Sequence, residues 1–316
     1  MGEILNLRRI VRHASVSPPL TSRVVAPTVS AEPLALLLAE TVAGDERAFA
    51  RLYELTGGRM LAVARGIVGR SDVAEDVVQE SFVRVWRWAH RYDPDKGPAY
   101  AWLVRIVRNR ALSAKDRLHR REGGQCELDA EMPAQAEHHD PADQAIRSEA
   151  ARQVQACLAN LPLNHRRSVA LVYFEGLTHR ELAERLGVQL GTAKSWVRRG
   201  LAQMGRCLSG GAEADWRELM AAQYAVGSLQ GASRRGFERR RERDARYCHV
   251  ADMWENRLAL LTECLPDGGS ASPEIWNRIS QQVRRERIHV ARPLVWQWTA
   301  AVLALAVVAL AIVALR

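Results

Sequence analysis

LTHRELAERLGVQLGTAKSWVRRGLAQM, residues Leu177–Met204, contains two helices and the turn between them. Thr178 opens a run of helical period and Glu181 follows three residues later. In that pairing each side chain satisfies a backbone amide of the other at a helix N-terminus. Leu182, Ala183 and Leu186 mark one face, and Gly187 stands where a left-handed residue closes a helix. After a short turn, Ala193, Val197 and Leu201 recur at i, i+4 and i+8, the buried stripe of a second helix. Its other faces carry Gln189, Thr192, Lys194, Ser195, Arg198 and Arg199. Two helices joined by a short turn, the second rich in hydrogen-bonding and cationic groups, form a helix-turn-helix, whose second helix enters a DNA major groove.

The rest of the chain agrees with that reading. A formal net charge of +9 and a pI of about 9.8 suit a polyanionic partner, nucleic acid or an anionic membrane face. Apolar residues recur at three- and four-residue steps in AFARLYELTGGRMLAVARGIV and in VAEDVVQESFVRVWRWA, and strand-like alternation persists nowhere, so the fold class is all-α. Thr56–Gly58 and Gly69–Asp72 read as breaks, with Ser71 as a helix N-cap ahead of Asp72, Glu75 and Asp76. Residues 122–146 hold seven acids and no Lys or Arg, the composition of a flexible linker. Five scattered cysteines, Cys126, Cys157, Cys207, Cys248 and Cys264, include no CxxC; a disulfide framework is not expected, and a reducing compartment is. No phosphate loop, nucleophile triad or metal cluster appears, so no catalytic residue, metal or cofactor is nominated.

Over about residues 35–208 the chain resembles the extracytoplasmic-function sigma factors of RNA polymerase. LPLNHRRSVALVYFEGLTHRELAERLGVQLGTAKSWVRRGLAQM is similar to their region 4, which reads the −35 promoter element, and DVAEDVVQESFVRVWRWAHRYDP to their region 2, which holds the polymerase core. The resemblance implies that Asp76, Gln79 and Glu80, on one helix face, grip polymerase. AWLVRIVRNRALSAKDRLHRR is similar to the end of region 2, which melts and reads the −10 element. There Arg105, Arg108, Arg110, Lys115, Arg117, Arg120 and Arg121 are expected to form a basic surface for phosphates. Asn109 matches an asparagine that the family presents near a flipped-out base. Tyr100 and Trp102 are candidate stacking platforms, with Trp102 expected to pack in the core. Two departures bear on promoter strength and preference: Ser113 stands where the family has an acid, and Trp196 where it often has arginine.

The C-terminal third is of another kind. WRELMAAQYAVGSL, FERRRERDARYCHVADMWENRLALL and the pattern P-x-x-x-x-I-W-x-x-I resemble, in that order, the cytoplasmic part of membrane-bound anti-sigma factors of the RskA kind. Only Cys248 and His249 stand together, which does not complete a zinc set. From Leu294 to Leu315 no residue is charged and only Gln297 and Thr299 are polar. As a helix these 22 residues span roughly 33 Å, enough to cross a bilayer core of about 30 Å. Arg284, Arg285, Arg287 and Arg292 precede them, so the preceding domains are expected on the cytoplasmic side of the bacterial inner membrane. The expected organisation is a disordered extension (1–33), region 2 (34–121), an acidic linker (122–146), region 4 (147–208), a short linker (209–214), an anti-sigma-like helical domain (215–290) and a transmembrane helix (294–315). The implied partners are RNA polymerase core, promoter DNA, the lipid bilayer, and a sigma/anti-sigma contact within one chain or between two. The short 209–214 linker is expected to limit the reach of the third block to both sigma units of its own chain, which would favour binding to a neighbouring copy. Two functional readings stay open: an initiation factor silenced by its own C-terminal block, and a membrane-bound anti-sigma regulator carrying a degenerate sigma module. A membrane-bound one-component transcription factor leaves region 2 unexplained.

Overall fold

A computed structural model describes residues 33–121, 149–211, 215–265 and 273–285. Among these residues the fold is entirely helical. The extension 1–32, the whole of the acidic linker 122–146 and the apolar stretch 294–315 lie outside them. No helix among the described residues is long and apolar enough to cross a membrane.

The first unit comprises α1 (Pro33–Val42), α2 (Glu46–Val68), α3 (Ser71–Trp88) and α4 (Ala99–Arg121). Asp45 caps α2 by accepting from the amides of Arg47 and Ala48, and Gly69 closes it at φ 72°. The expected break at Thr56–Gly58 is corrected: α2 runs straight through. Thr56 turns its hydroxyl onto the Leu52 carbonyl at 2.6 Å, and Gly57 and Gly58 are buried within the helix. Ser71 is the first residue of α3 and makes no cap; Arg70 holds that position, and its guanidinium donates to Asp72 rather than capping the helix. Short 3-10 turns at Ala89–Arg91 and Pro94–Lys96 carry the chain from α3 to α4.

The second unit comprises α5 (Glu149–Ala159), α6 (Leu163–Phe174), α7 (His179–Leu186) and α8 (Leu190–Leu208). The reading of the cysteines is corrected here. Cys157 of α5 and Cys207 of α8 form a disulfide, with Cα atoms 5.8 Å apart. Packing of α5 on α8 brings them together, and spacing alone carries no signal of that contact. With 50 residues between the two, the crosslink removes unfolded-chain entropy equivalent to about 4 kcal/mol. Reducing the oxidised chain, or making Cys157→Ser, is therefore expected to lower the stability of this unit by up to about 4 kcal/mol, read from the midpoint of urea unfolding.

The third block comprises α9 (Trp216–Val226), α10 (Gly231–Arg243), α11 (Ala245–Ala259) and a helix over 273–285, α12. Asp215 caps α9 and Gly227 closes it at φ 87°. This block shares the cores of both preceding units. Tyr224, Phe237, Trp254 and Leu258 join one core with Leu158, Val172, Leu201 and Met204 of the second unit. Ile275, Ile279 and Val283 join the other with Phe49, Phe82 and Leu103 of the first. The expectation that the short linker would limit the block's reach within its own chain is thus corrected. α9 packs on α8 while α11 packs on α4, and the block is wedged between both units.

Candidate nucleic-acid interface

The helix-turn-helix is built by local chemistry. The Glu181 amide donates to Thr178 Oγ1 at 3.1 Å, and the Thr178 amide donates to Glu181 Oε2 at 2.6 Å. Gly187 ends α7 at φ 63°, re-aiming the chain into α8. Ala193, Val197 and Leu201 are fully buried. Gly200 lets α8 approach α6 closely, since a Cβ there would meet Val169 Cγ2 at 2.8 Å. The opposite face of α8 is open: Gln189, Lys194, Arg198 and Arg199 are exposed, and Thr192, Ser195 and Trp196 are half-buried beside them. Thr178→Ala removes one half of the reciprocal cap. It is expected to cost about 1 kcal/mol of stability in the second unit, measured by thermal unfolding.

The basic face of α4 is arranged differently. Arg117 and Arg120 are exposed and Asn109 is half-buried, while the side chain of Arg121 lies outside the described set. Arg110 pairs with Glu80 of α3. The expected phosphate-facing surface is otherwise not a surface in this arrangement. Arg105 donates to Asp252 at 2.8 Å and to Glu255 at 3.4 Å, both on α11. Arg108 is 6% exposed; its Nη1 donates to the Ala225 carbonyl at 3.0 Å, and its Nη2 to those of Val226 at 2.6 Å and Tyr173 at 3.1 Å. Burial pushes its guanidinium below the usual arginine range. Lys115, 5% exposed, donates to the carbonyls of Glu175 at 2.9 Å and Gly176 at 3.2 Å. The physical reason is periodicity: 105, 108, 112 and 115 lie on one helical face, and the second and third units cover it. Of the two stacking candidates, Trp102 is in the core, and Tyr100 is buried with its hydroxyl 3.0 Å from that of Thr262.

On α3 the polar face expected to meet polymerase is also occupied. Arg278 of α12 donates to Asp76 and Glu75, each at 3.3 Å, and Gln282 lies 3.5 Å from Gln79. Beneath these contacts Trp276 sits 5.2 Å from the Tyr53 ring and 5.6 Å from that of Phe49.

Sequence reasoning missed the residues that do the covering. Asp252 and Glu255 bind not only Arg105 but also Arg241 of α10, at 2.6 and 3.1 Å. Burial works to lower the Arg241 pKa, but Glu255, Tyr224 and Asp252 outweigh it and hold the guanidinium above its ordinary range. Two acids three residues apart in an arginine-rich block were the available signal. Cys248 is half-buried, with its sulfur 3.6 Å from Asp252, and no group of side chains suited to a metal occurs among the described residues.

Comparison with known proteins agrees with the two sigma-like units. The family model described as Sigma-70 region 2 matches residues 52–121, and that described as Sigma-70, region 4 matches residues 151–204. An ECF RNA polymerase sigma factor SigK of Mycolicibacterium vanbaalenii is 31% identical over 185 residues, covering 58% of this chain and 92% of the relative. The SigK of Mycobacterium tuberculosis is 33% identical over 177 residues, covering 54% and 91%. A solved structure, that of CnrH in complex with the cytosolic domain of CnrY, covers 57% of this chain and 100% of its own at 23% identity. Its TM-score of 0.28 is too low for its arrangement to bear on this one. The chain spans 92% and 91% of the length of these two relatives, and it belongs to the ECF RNA polymerase sigma factors, DNA-binding initiation factors of transcription and not enzymes.

Proposed function

We propose that this chain is a sigma factor held silent by its own third block, an anti-sigma-like domain of the RskA kind joined to it head to tail. The first unit binds polymerase core through Asp76, Gln79 and Glu80. It contacts −10 DNA through Arg105, Arg108, Asn109, Lys115, Arg117, Arg120 and Arg121. The second unit reads the −35 element through Gln189, Thr192, Lys194, Ser195, Arg198 and Arg199. The uncharged stretch 294–315 anchors the assembly to the cytoplasmic side of a bilayer.

One observation carries this reading: the α4 face that would meet DNA is buried against α6, α9 and α11. The spacing of the two elements supports it. The −10 and −35 elements lie about 25 base pairs apart, roughly 85 Å along B-DNA at 3.4 Å per pair. Here the two DNA-reading units touch, since a Cβ at Gly66 of α2 would meet the Phe174 carbonyl of α6 at 2.8 Å. The 27 residues of 122–148 can reach about 90 Å when extended, enough to let the units part once the third block leaves.

The test is promoter-specific transcription with core polymerase, comparing residues 1–210 with the full chain in detergent. A silent full chain and an active fragment are expected. Equal activity would remove the inhibitory role of the third block. Inactivity of a folded fragment across a promoter library would favour the regulator with a degenerate sigma module.

A further inference from the structure

The three units meet at one side chain. Arg108 comes from α4 of the first unit. Its Nη2 is shared between the Tyr173 carbonyl in the last turn of α6 and the Val226 carbonyl in the last turn of α9, and its Nη1 binds the Ala225 carbonyl of that same turn. The guanidinium also lies over the Tyr173 ring, 4.3 Å from its centroid. All three acceptors are C-terminal carbonyls, which carry the partial negative charge of a helix end. No carboxylate bonds to Arg108 among the described residues, and its Nε has no acceptor. The buried charge is therefore hydrogen-bonded only to two helix ends, which belong to two different units, while Glu255 of the third block favours it without a bond.

We infer that Arg108 is the joint at which the third block locks region 4 onto region 2 of the same chain, so that the closed form opens as one unit. If α9 withdraws, the guanidinium keeps one acceptor of three; if α6 withdraws, it keeps two. Either way a buried charge is left underbonded, and each charge-assisted bond lost shifts the equilibrium roughly ten- to a hundredfold. The two departures thus promote each other. The lock operates within one chain. Only residues 209–215 join the end of α8 to the cap of α9, a reach of at most about 25 Å, and these two helices pack directly together. Gly227 completes the joint from the third block. It closes α9 at φ 87°, and a Cβ there would stand 3.4 Å from Arg108 Nη2 and 3.4 Å from Leu112 Cδ1.

The inference rests on the reading of the closed form as inactive, and the experiment separates the two. Hydrogen exchange is measured on the full chain in detergent for Arg108→Lys and Gly227→Ala, over residues 225–228 and, separately, 173–176. Lysine keeps the charge that a phosphate needs but offers a single compact centre in place of the guanidinium fork. The Gly227→Ala change disturbs the joint from the third block and leaves every proposed DNA-contacting side chain unchanged. Both variants are expected to accelerate exchange at least tenfold at both segments together, although 173–176 lies in a unit that neither substitution alters. Acceleration confined to 225–228, or none in Arg108→Lys, overturns the joint. Transcription by the same samples tests the underlying reading. Coupled opening without any gain over a wild-type chain as active as residues 1–210 leaves the joint standing and removes self-inhibition. A silent wild type beside an active fragment, with uncoupled exchange, does the reverse.

Discussion

Trp276→Ala in the full chain is expected to free α12 from region 2 and to raise the affinity of the full chain for core polymerase by roughly a hundredfold. Trp276 is half-buried against Phe49 and Tyr53, between Ile275 and Ile279, which are almost wholly buried. Large-to-small changes in cores cost about 3–5 kcal/mol for a fully buried tryptophan, and a half-buried ring loses less than that, about 2–3 kcal/mol. At 1.4 kcal/mol per decade that is about two orders of magnitude in the balance of open and closed forms. The polar contacts around it are weaker. Arg278 with Glu75 and Asp76, and Arg284 with Glu46, are substantially exposed ion pairs, of a kind that contributes about 0–1 kcal/mol each. The grip of α12 is therefore expected to survive high salt and to fail on loss of the ring. Tyr53 supplies a spectroscopic check. Burial pushes its hydroxyl up to about 12 from 10, with Arg278 opposing and Glu75 adding to the effect. A raised pKa favours the neutral phenol in the folded form. The stability it contributes is present below pH 10 and lost as pH rises through 12. In Trp276→Ala the tyrosinate absorbance of this residue is expected to appear at lower pH, toward its ordinary value.

The double change Asp252→Asn with Glu255→Gln is expected to open the seam between α11 and α4. Full-chain transcription should then approach that of residues 1–210. These acids are 13% and 7% exposed at their side chains, and between them they serve Arg105 and Arg241. Neutralising both leaves two largely buried guanidinium groups without counter-charge, a situation that costs about 3–5 kcal/mol. Asparagine and glutamine keep the size of the originals, so the effect isolates charge from packing. Both residues belong to the third block, so no side chain proposed to touch DNA or polymerase changes. A rise in promoter-specific transcription therefore reports release; unchanged silence would mean that the seam is held by its apolar contacts.

How much of this was legible in the sequence depended on how far each cause lies along the chain. The helix-turn-helix was fully legible, because Thr178 with Glu181, Gly187, and the stripe of Ala193, Val197 and Leu201 act within one or two turns of themselves. Breaks inside long helices were not. Gly57 and Gly58 look like punctuation locally, yet their burial in α2 is set by neighbours from other helices. The pairing of Cys157 with Cys207 depends on the packing of α5 on α8. Arg108 and Lys115 were read as surface cations, as their residue types favour. Their hydrogen-bond acceptors lie between 60 and 118 residues further along the chain and are carbonyls, which carry no residue-type signature; the carboxylate of Glu181 is 4.0 Å from Lys115. The third block was legible as helices. That it supplies core residues to both preceding units was not, because the apolar positions of an amphipathic helix do not name the surface they cover.

The most direct test of self-inhibition is the distance between regions 2 and 4 in solution. Spin labels on unnatural residues at the exposed positions Glu40 of α1 and Arg198 of α8 avoid the native cysteines. Double electron–electron resonance then compares the full chain in detergent, residues 1–210, and the full chain after cleavage within 266–272. A closed, self-inhibited chain gives one narrow, short distance for the intact protein and a broad, longer distribution for the fragment. The cleaved chain should shift toward the longer distances once α12 is free to leave. A broad, long distribution already present in the intact chain would contradict the claim that the third block holds the two DNA-reading units together.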